Sequence, residues 1–162
     1  RAYGLTAPPA WLGQGLRAYV SERFVGSRLS LDSKTVDRST TGTPSWVKGM
    51  RETRPRKRRT MIQLARRMLD AEQAPLLDGL LTRPAEDFTV EDTLLAYALI
   101  AYLIEGHGPA VLDPIVRSIT SGADPVSGIA LAHQQRALES GLDVTLSALQ
   151  LRVHEWVDEM QR

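Results

Sequence analysis

An uninterrupted apolar run of eleven residues, from Leu94 to Ile104, constrains the fold more than any other feature of the sequence. A helix that is apolar on all sides has to be buried on most of them. The run is too short to cross a lipid bilayer, which requires about 20 apolar residues. Just before it, Thr89 and Asp92 have the spacing of a capping box, in which each side chain bonds the backbone N–H of the other residue. We therefore expect this helix at the centre of a helical core.

Apolar periodicity predicts amphipathic helices on both sides of this run. Their approximate ranges are 9–25, 60–72, 109–120, 125–139 and 144–160. Pro114 either kinks its helix or marks the true start, and the Ser140–Gly141 pair separates the last two helices. A polar segment, at about residues 26–44, is predicted to be a long loop, and no segment shows the alternation of a strand. The sequence thus predicts an all-α fold, with about six helices in one compact lobe spanning residues 1–162.

The charge distribution divides the chain into two halves. Residues 1–67 contain fifteen Lys or Arg and four Asp or Glu, for a net charge of +11. Residues 68–162 contain five Lys or Arg and fifteen Asp or Glu, for a net charge of −10. Such polarity either draws the two halves together or presents each half to a different partner. The chain contains no cysteine, which excludes disulfides and thiolate zinc sites.

The first predicted helix has an unusual start. Pro9 suits a first helical position, and the residues after it place apolar side chains on one face at helical spacing. These side chains are Trp11, Leu12, Leu16, Tyr19 and Val20. Gly13 and Gly15 fall among them, and each glycine costs about 1 kcal/mol relative to alanine in a helix. We therefore expect the backbone here to pass close to another part of the protein.

The stretch from Trp11 to Tyr19 (WLGQGLRAY) resembles a signature of the gluzincin metallopeptidases, especially the bacterial peptidase-MA-like families. Those families carry a helix of the form Pro-x-Trp-Leu-x-Glu-Gly-Leu-Ala-x-Tyr, whose glutamate is the third zinc ligand. The first two ligands are the histidines of an upstream His-Glu-x-x-His helix. The later order of the chain is also similar, with a buried helix containing Tyr97 and Tyr102, a glycine-containing turn and a final helix with Trp156. The resemblance implies the C-terminal helical part of such a domain.

Two departures from the family pattern bear on chemistry. Gln14 stands where the family has its zinc-binding glutamate, and a neutral amide is a much poorer zinc ligand than a carboxylate. No His-Glu-x-x-His occurs, and no two of the three histidines are four residues apart. The chain begins with Arg1 rather than methionine, so we expect it to be part of a longer protein. Zinc is expected only if an upstream segment supplies the missing histidines.

The candidate site residues follow from this resemblance. Gln14 is the degenerate metal-ligand position, and no catalytic residue or metal ligand is assigned. The candidates for a cleft are Trp11, Gly15, Tyr97 and His107. For Trp11 and Tyr97 a role in the core is the favoured alternative, and His107 lies between two glycines in a predicted turn.

A basic run between Arg51 and Arg67 is the candidate surface for an anionic partner. Its candidate binding residues are Arg54, Arg56, Lys57, Arg58, Arg59, Arg66 and Arg67. Nucleic acid is the less favoured partner, because the run has no interleaved aromatic residues on which bases would stack. The alternative is that these side chains are solvated or pair with the acidic half of the same chain.

Three hypotheses about function follow. The first is a catalytically incomplete gluzincin-like helical domain with a structural or protein-interaction role, whose partner is another protein chain or an upstream domain. The second is the C-terminal half of an active zinc peptidase whose His-Glu-x-x-His segment lies upstream or on another chain. The third is a helical module that binds an anionic partner through the basic 51–67 segment. The sequence does not assign a cellular compartment.

Overall fold

The computed structural model describes residues 8–25, 60–121 and 130–160. Within these ranges the chain forms seven α-helices and no strand, which confirms the predicted all-α class. The helices are α1 (Ala10–Val20), α2 (Met61–Leu69), α3 (Leu77–Thr82), α4 (Val90–Ala101), α5 (Leu112–Ser121), α6 (Leu131–Leu142) and α7 (Leu146–Glu159). The predicted loop at residues 26–44 lies outside the described residues.

Short turns of other helical types extend or precede some of these helices. A π-helical turn, Ser21–Val25, continues α1, and a second one, Tyr102–Gly106, continues α4. Two 3₁₀ turns, Ala85–Asp87 and Pro109–Val111, precede α4 and α5. Among the described helices, none by itself combines the length and the apolar character that crossing a membrane would require.

The central helix is α4, as the apolar run predicts. Every residue from Asp92 to Leu103 is buried. The predicted capping box is present, because the Thr89 hydroxyl accepts a hydrogen bond from the Asp92 N–H at 3.1 Å while the Asp92 carboxylate accepts one from the Thr89 N–H at 2.8 Å. Arg83 also pairs with that carboxylate at 2.9 Å. The carboxylate therefore caps the helix and receives a neutralising charge although it is buried.

The other helices surround α4. Helix α1 packs along one side of it and α2 along another, while α7 contacts α2, α3 and α6. Thr60 is the N-cap of α2, which begins at Met61, and it forms a capping box with Gln63. Helices α5 and α6 pack on each other, and α3 fills the space between α6 and α7. The apolar faces of the helices meet in one continuous core.

Two predictions about helix ends and faces are wrong. The chain does not break at Ser140–Gly141, because α6 continues to Leu142 and the turn falls at Asp143, whose φ of 53° is left-handed. Gly141 instead permits close packing, since a Cβ there would lie 2.7 Å from Cγ1 of Ile115 on α5. Val20 does not share the buried face of α1, because at 3.6 residues per turn it lies on the opposite side of the helix from the buried stripe.

Candidate functional site

Close packing against α4 explains why a glycine, Gly15, is present in the first turns of α1. It is buried, and a Cβ added to it would lie 2.6 Å from the carbonyl oxygen of Ala96 and 2.7 Å from Cγ1 of Ile100. The backbones of α1 and α4 therefore approach more closely here than any side chain would allow. Gly13 has no atom within 4 Å of the corresponding position, so the predicted close neighbour exists for Gly15 alone. Gln14, between them, is half-buried.

Trp11 lies in the core. Its side chain is fully buried, and the indole N–H donates a hydrogen bond to Oε1 of Gln134 on α6 at 2.8 Å. A buried indole N–H needs such an acceptor, because leaving it unpaired would cost the full desolvation of the group. The bond joins α1 to α6 across 123 positions of the sequence. Trp11 thus occupies the core position that the sequence favoured over a cleft.

The two π-helical turns lie next to each other and carry a polar cluster. The Tyr19 hydroxyl donates a hydrogen bond to the Glu105 carboxylate at 3.2 Å, and Arg23 lies 4.0 Å from the same carboxylate. Tyr19 lies in the last turn of α1, whereas Glu105 belongs to the π turn after α4. Since π turns frequently occur at functional sites, this region is a candidate site on geometry alone.

A second pair completes this group, which we call the Tyr–Glu cluster (Tyr19, Glu22, Tyr97 and Glu105). The Tyr97 hydroxyl hydrogen-bonds the Glu22 carboxylate, and the rings of Tyr19 and Tyr97 are 6.4 Å apart. The Glu22 carboxylate also accepts a hydrogen bond from the backbone N–H of Met61, the first residue of α2. Both carboxylates are therefore used to join helices, and the cluster connects the ends of α1 and α4 with the start of α2.

The cluster disfavours ionisation of its two phenols. Burial is the main cause that raises the pKa of Tyr97, and the hydrogen bond to Glu22 and its negative charge add to this effect. Burial also raises the pKa of Tyr19, with Glu105 as the second cause. Two neutral phenols beside two carboxylates can donate hydrogen bonds, but neither is activated as a base or nucleophile.

We expect this arrangement to make the protein less stable in alkali. An unfolded tyrosine ionises at a pKa of about 10, whereas the folded protein keeps Tyr97 and Tyr19 protonated above that pH. The unfolded state then binds fewer protons, so the free energy of unfolding falls as the pH rises. Tyr97→Phe should make this fall shallower. Urea unfolding between about pH 9 and pH 11 measures it. Equal slopes for the wild type and the variant would show that Tyr97 is not held neutral.

His107 has surroundings of its own. It is exposed and lies just after the second π turn, with its ring edge-on to Tyr102 at a centroid distance of 5.0 Å. Tyr102 in turn contacts the Trp156 ring at 6.2 Å. The residues predicted for a cleft therefore have separate partners: Trp11 bonds α6, Gly15 contacts α4, Tyr97 bonds Glu22, and His107 packs on Tyr102.

The basic segment is described only in part. The candidates outside the described residues are Arg54, Arg56, Lys57, Arg58 and Arg59. Arg66 lies on α2, and its Nε is 3.0 Å from the Asp158 carboxylate and 3.7 Å from that of Asp70. Arg67, the next residue, is exposed. Arg66 therefore pairs with the acidic half of the chain, which is the alternative that the sequence left open for this run.

Side chains that could hold a metal occur at one place in the part of the chain that the structure describes. Asp70, His154 and Asp158 offer ligand atoms that all lie within 4.8 Å of one another. Sequence reasoning treated His154 as an ordinary histidine and overlooked this group, although His154 and Asp158 have the i, i+4 spacing of residues on one helical face. Asp70 lies 84 positions away, and no local pattern indicates its approach.

Comparisons of the chain with protein-family models, curated proteins and solved structures found no match. The fold and the described side chains thus define an all-α protein with a tightly packed α1–α4 pair and a polar Tyr–Glu cluster at its end.

Proposed function

We propose that this chain is a catalytically incomplete gluzincin-like helical domain with a structural or protein-interaction role. The observation that supports this most strongly is the position of Gly15, whose missing Cβ lets the backbone of α1 contact that of α4. The glycine after the ligand position therefore has a packing role that needs no metal. Trp11 and Tyr97, which would line a cleft in an enzyme, are likewise occupied in joining helices.

The chemistry at Gln14 supports the same proposal. A neutral amide binds zinc weakly, and the chain contains no His-Glu-x-x-His to supply two further ligands and a general base. Within the described ranges, the compact group of His and Asp side chains that could hold a metal ion lies at the end of α2 and on α7, away from Gln14 in the sequence. The sequence as printed therefore offers Gln14 no pair of histidines at the spacing of a peptidase site.

The outer face of α1 supports an interaction role. Val20 and Phe24, one helical turn apart, are 46% and 77% exposed. The exposed side chains of Arg17 and Arg23 flank them. Aromatic and arginine side chains are among the types enriched at the centres of protein interfaces. The partner that fits this face is a protein segment with an apolar centre and an acidic rim.

Zinc titration of three untagged proteins tests the catalytic part of the proposal. We expect the wild type, Gln14→Ala and Gln14→Glu to bind the same number of zinc ions with the same affinity, as measured by calorimetry. Neither variant should hydrolyse a peptide substrate. A zinc ion that the wild type binds and Gln14→Ala loses would contradict the proposal, because it would make position 14 a working ligand. Gln14→Glu is the matched control, since it restores the carboxylate of the family pattern.

A further inference from the structure

The group formed by Asp70, His154 and Asp158, which we call the Asp–His–Asp group, joins two helices. Asp70 is the C-cap residue of α2, whereas the other two lie on α7. Residues four apart in a helix lie on the same face, so His154 and Asp158 both face the end of α2. Nε2 of His154 is 3.3 Å from Oδ1 of Asp70, and the three ligand atoms lie within 4.8 Å of one another.

We propose that the Asp–His–Asp group binds a divalent transition metal ion, with Zn²⁺ as the best fit. One imidazole and two carboxylates suit zinc better than magnesium or calcium, which prefer oxygen ligands alone. In a tetrahedral site with metal–ligand distances of about 2.0–2.2 Å, the ligand atoms are about 3.3 Å apart. The Nε2–Oδ1 distance between His154 and Asp70 is 3.3 Å, and the other two separations are at most 4.8 Å.

The exposure of the group leaves room for metal entry and for a water ligand. The three side chains are between 36% and 53% exposed, so the site opens to solvent. Three protein ligands and one water would complete a tetrahedral zinc shell. The ion would tie the end of α2 to α7, and it would do so without any residue of the Gln14 region. This proposal is therefore independent of the function proposed above.

Arg66 and Asp158 supply an independent observation. Oδ1 of Asp158 is shielded from solvent, yet it accepts no hydrogen bond from the described residues. The Arg66 Nε lies 3.0 Å away and provides positive charge without a well-aligned bond. A shielded carboxylate oxygen without a well-aligned hydrogen bond needs a cation beside it, which Arg66 supplies in the metal-free protein and a bound metal ion would supply instead. Arg66 thus balances the two carboxylates in the metal-free protein and would have to swing away when an ion binds.

Calorimetric zinc titration of untagged variants tests the site. We expect the wild type to bind one zinc ion per chain, and His154→Ala and Asp158→Asn to weaken that binding by at least the roughly 10- to 100-fold that loss of an outer-shell partner costs. His133→Ala and Gln14→Ala should bind zinc like the wild type. Arg66→Gln should tighten binding by about tenfold, because it removes a cation that repels the metal.

The variants separate the outcomes. Circular dichroism first establishes that each variant keeps its helices, and Arg66→Gln gives a gain of affinity that a merely destabilised protein would not show. Absence of zinc binding, unchanged binding by His154→Ala, or a loss in His133→Ala would overturn the proposal. Loss of zinc binding in Gln14→Ala alone would overturn the proposed function as well. If His154→Ala binds zinc like the wild type and Gln14→Ala also does, only the metal-site proposal fails and the proposed function stands.

Discussion

Gly15→Ala is expected to lower the free energy of unfolding by about 1–3 kcal/mol, the usual cost of adding a methyl group to a packed interface. The new Cβ would meet the Ala96 carbonyl oxygen at 2.6 Å, and a backbone atom cannot move aside as a flexible side chain can. Helix α1 would have to shift away from α4, the central helix of the core. Urea denaturation followed by circular dichroism measures the loss.

Gly13→Ala is the matched control, two positions away on the same helix. Here a Cβ meets no atom within 4 Å, so the change should bring only the higher helix propensity of alanine. We expect stability to rise by up to about 1 kcal/mol. The two substitutions are chemically identical, and they should therefore have effects of opposite sign. If both stabilise the protein, the close contact between α1 and α4 does not exist in solution.

Trp11→Ala should cost about 3–5 kcal/mol, the range measured for replacing a buried tryptophan or phenylalanine with alanine. The side chain is fully buried, and its removal leaves a cavity between α1 and the rest of the core. It also removes the indole N–H that donates a hydrogen bond to Oε1 of Gln134. Chemical denaturation gives the difference in the free energy of unfolding.

Trp11→Phe is the milder variant, which keeps most of the apolar packing but removes the hydrogen bond to Gln134. Phenylalanine keeps an aromatic ring in the core but has no N–H, so the Gln134 oxygen loses this donor. We expect a cost of about 1–3 kcal/mol, because the smaller ring loses part of the packing and the hydrogen bond to Gln134 is gone. A cost for Trp11→Ala below about 1 kcal/mol would place the side chain at the surface, since exposed positions rarely change stability by more.

The features that the sequence predicted best are local ones. The apolar run predicted the central position of α4. The spacing of Thr89 and Asp92 predicted its capping box, because the two partners of such a box are three residues apart. The helix predicted from residue 60 onward is also present, with Thr60 as its N-cap. The prediction that a helix ends at Ser140–Gly141 was wrong. In a single sequence, a glycine that permits close helix packing cannot be distinguished from a glycine that ends a helix.

The candidate sites were less predictable, because their residues meet across long stretches of sequence. Tyr19 and Glu105 are 86 positions apart, and Asp70 and His154 are 84 apart. Nothing local indicates that either pair will meet. Arg66 was counted with a basic run, whereas its actual partners are two carboxylates, one of them on α7.

The contact at Gly15 also decides which neighbouring positions the fold leaves free to vary. Successive residues on a helix are rotated by about 100°, so Gln14 lies on the flank of α1 when Gly15 faces α4. Gln14 is only half-buried, and its side chain does not form the contact that holds the two helices together. The residue that packs α1 against α4 is therefore different from the residue that would carry chemistry on this helix. Exchange between an amide and a carboxylate at position 14 changes the side chain's charge while the geometry of the helix pair stays fixed.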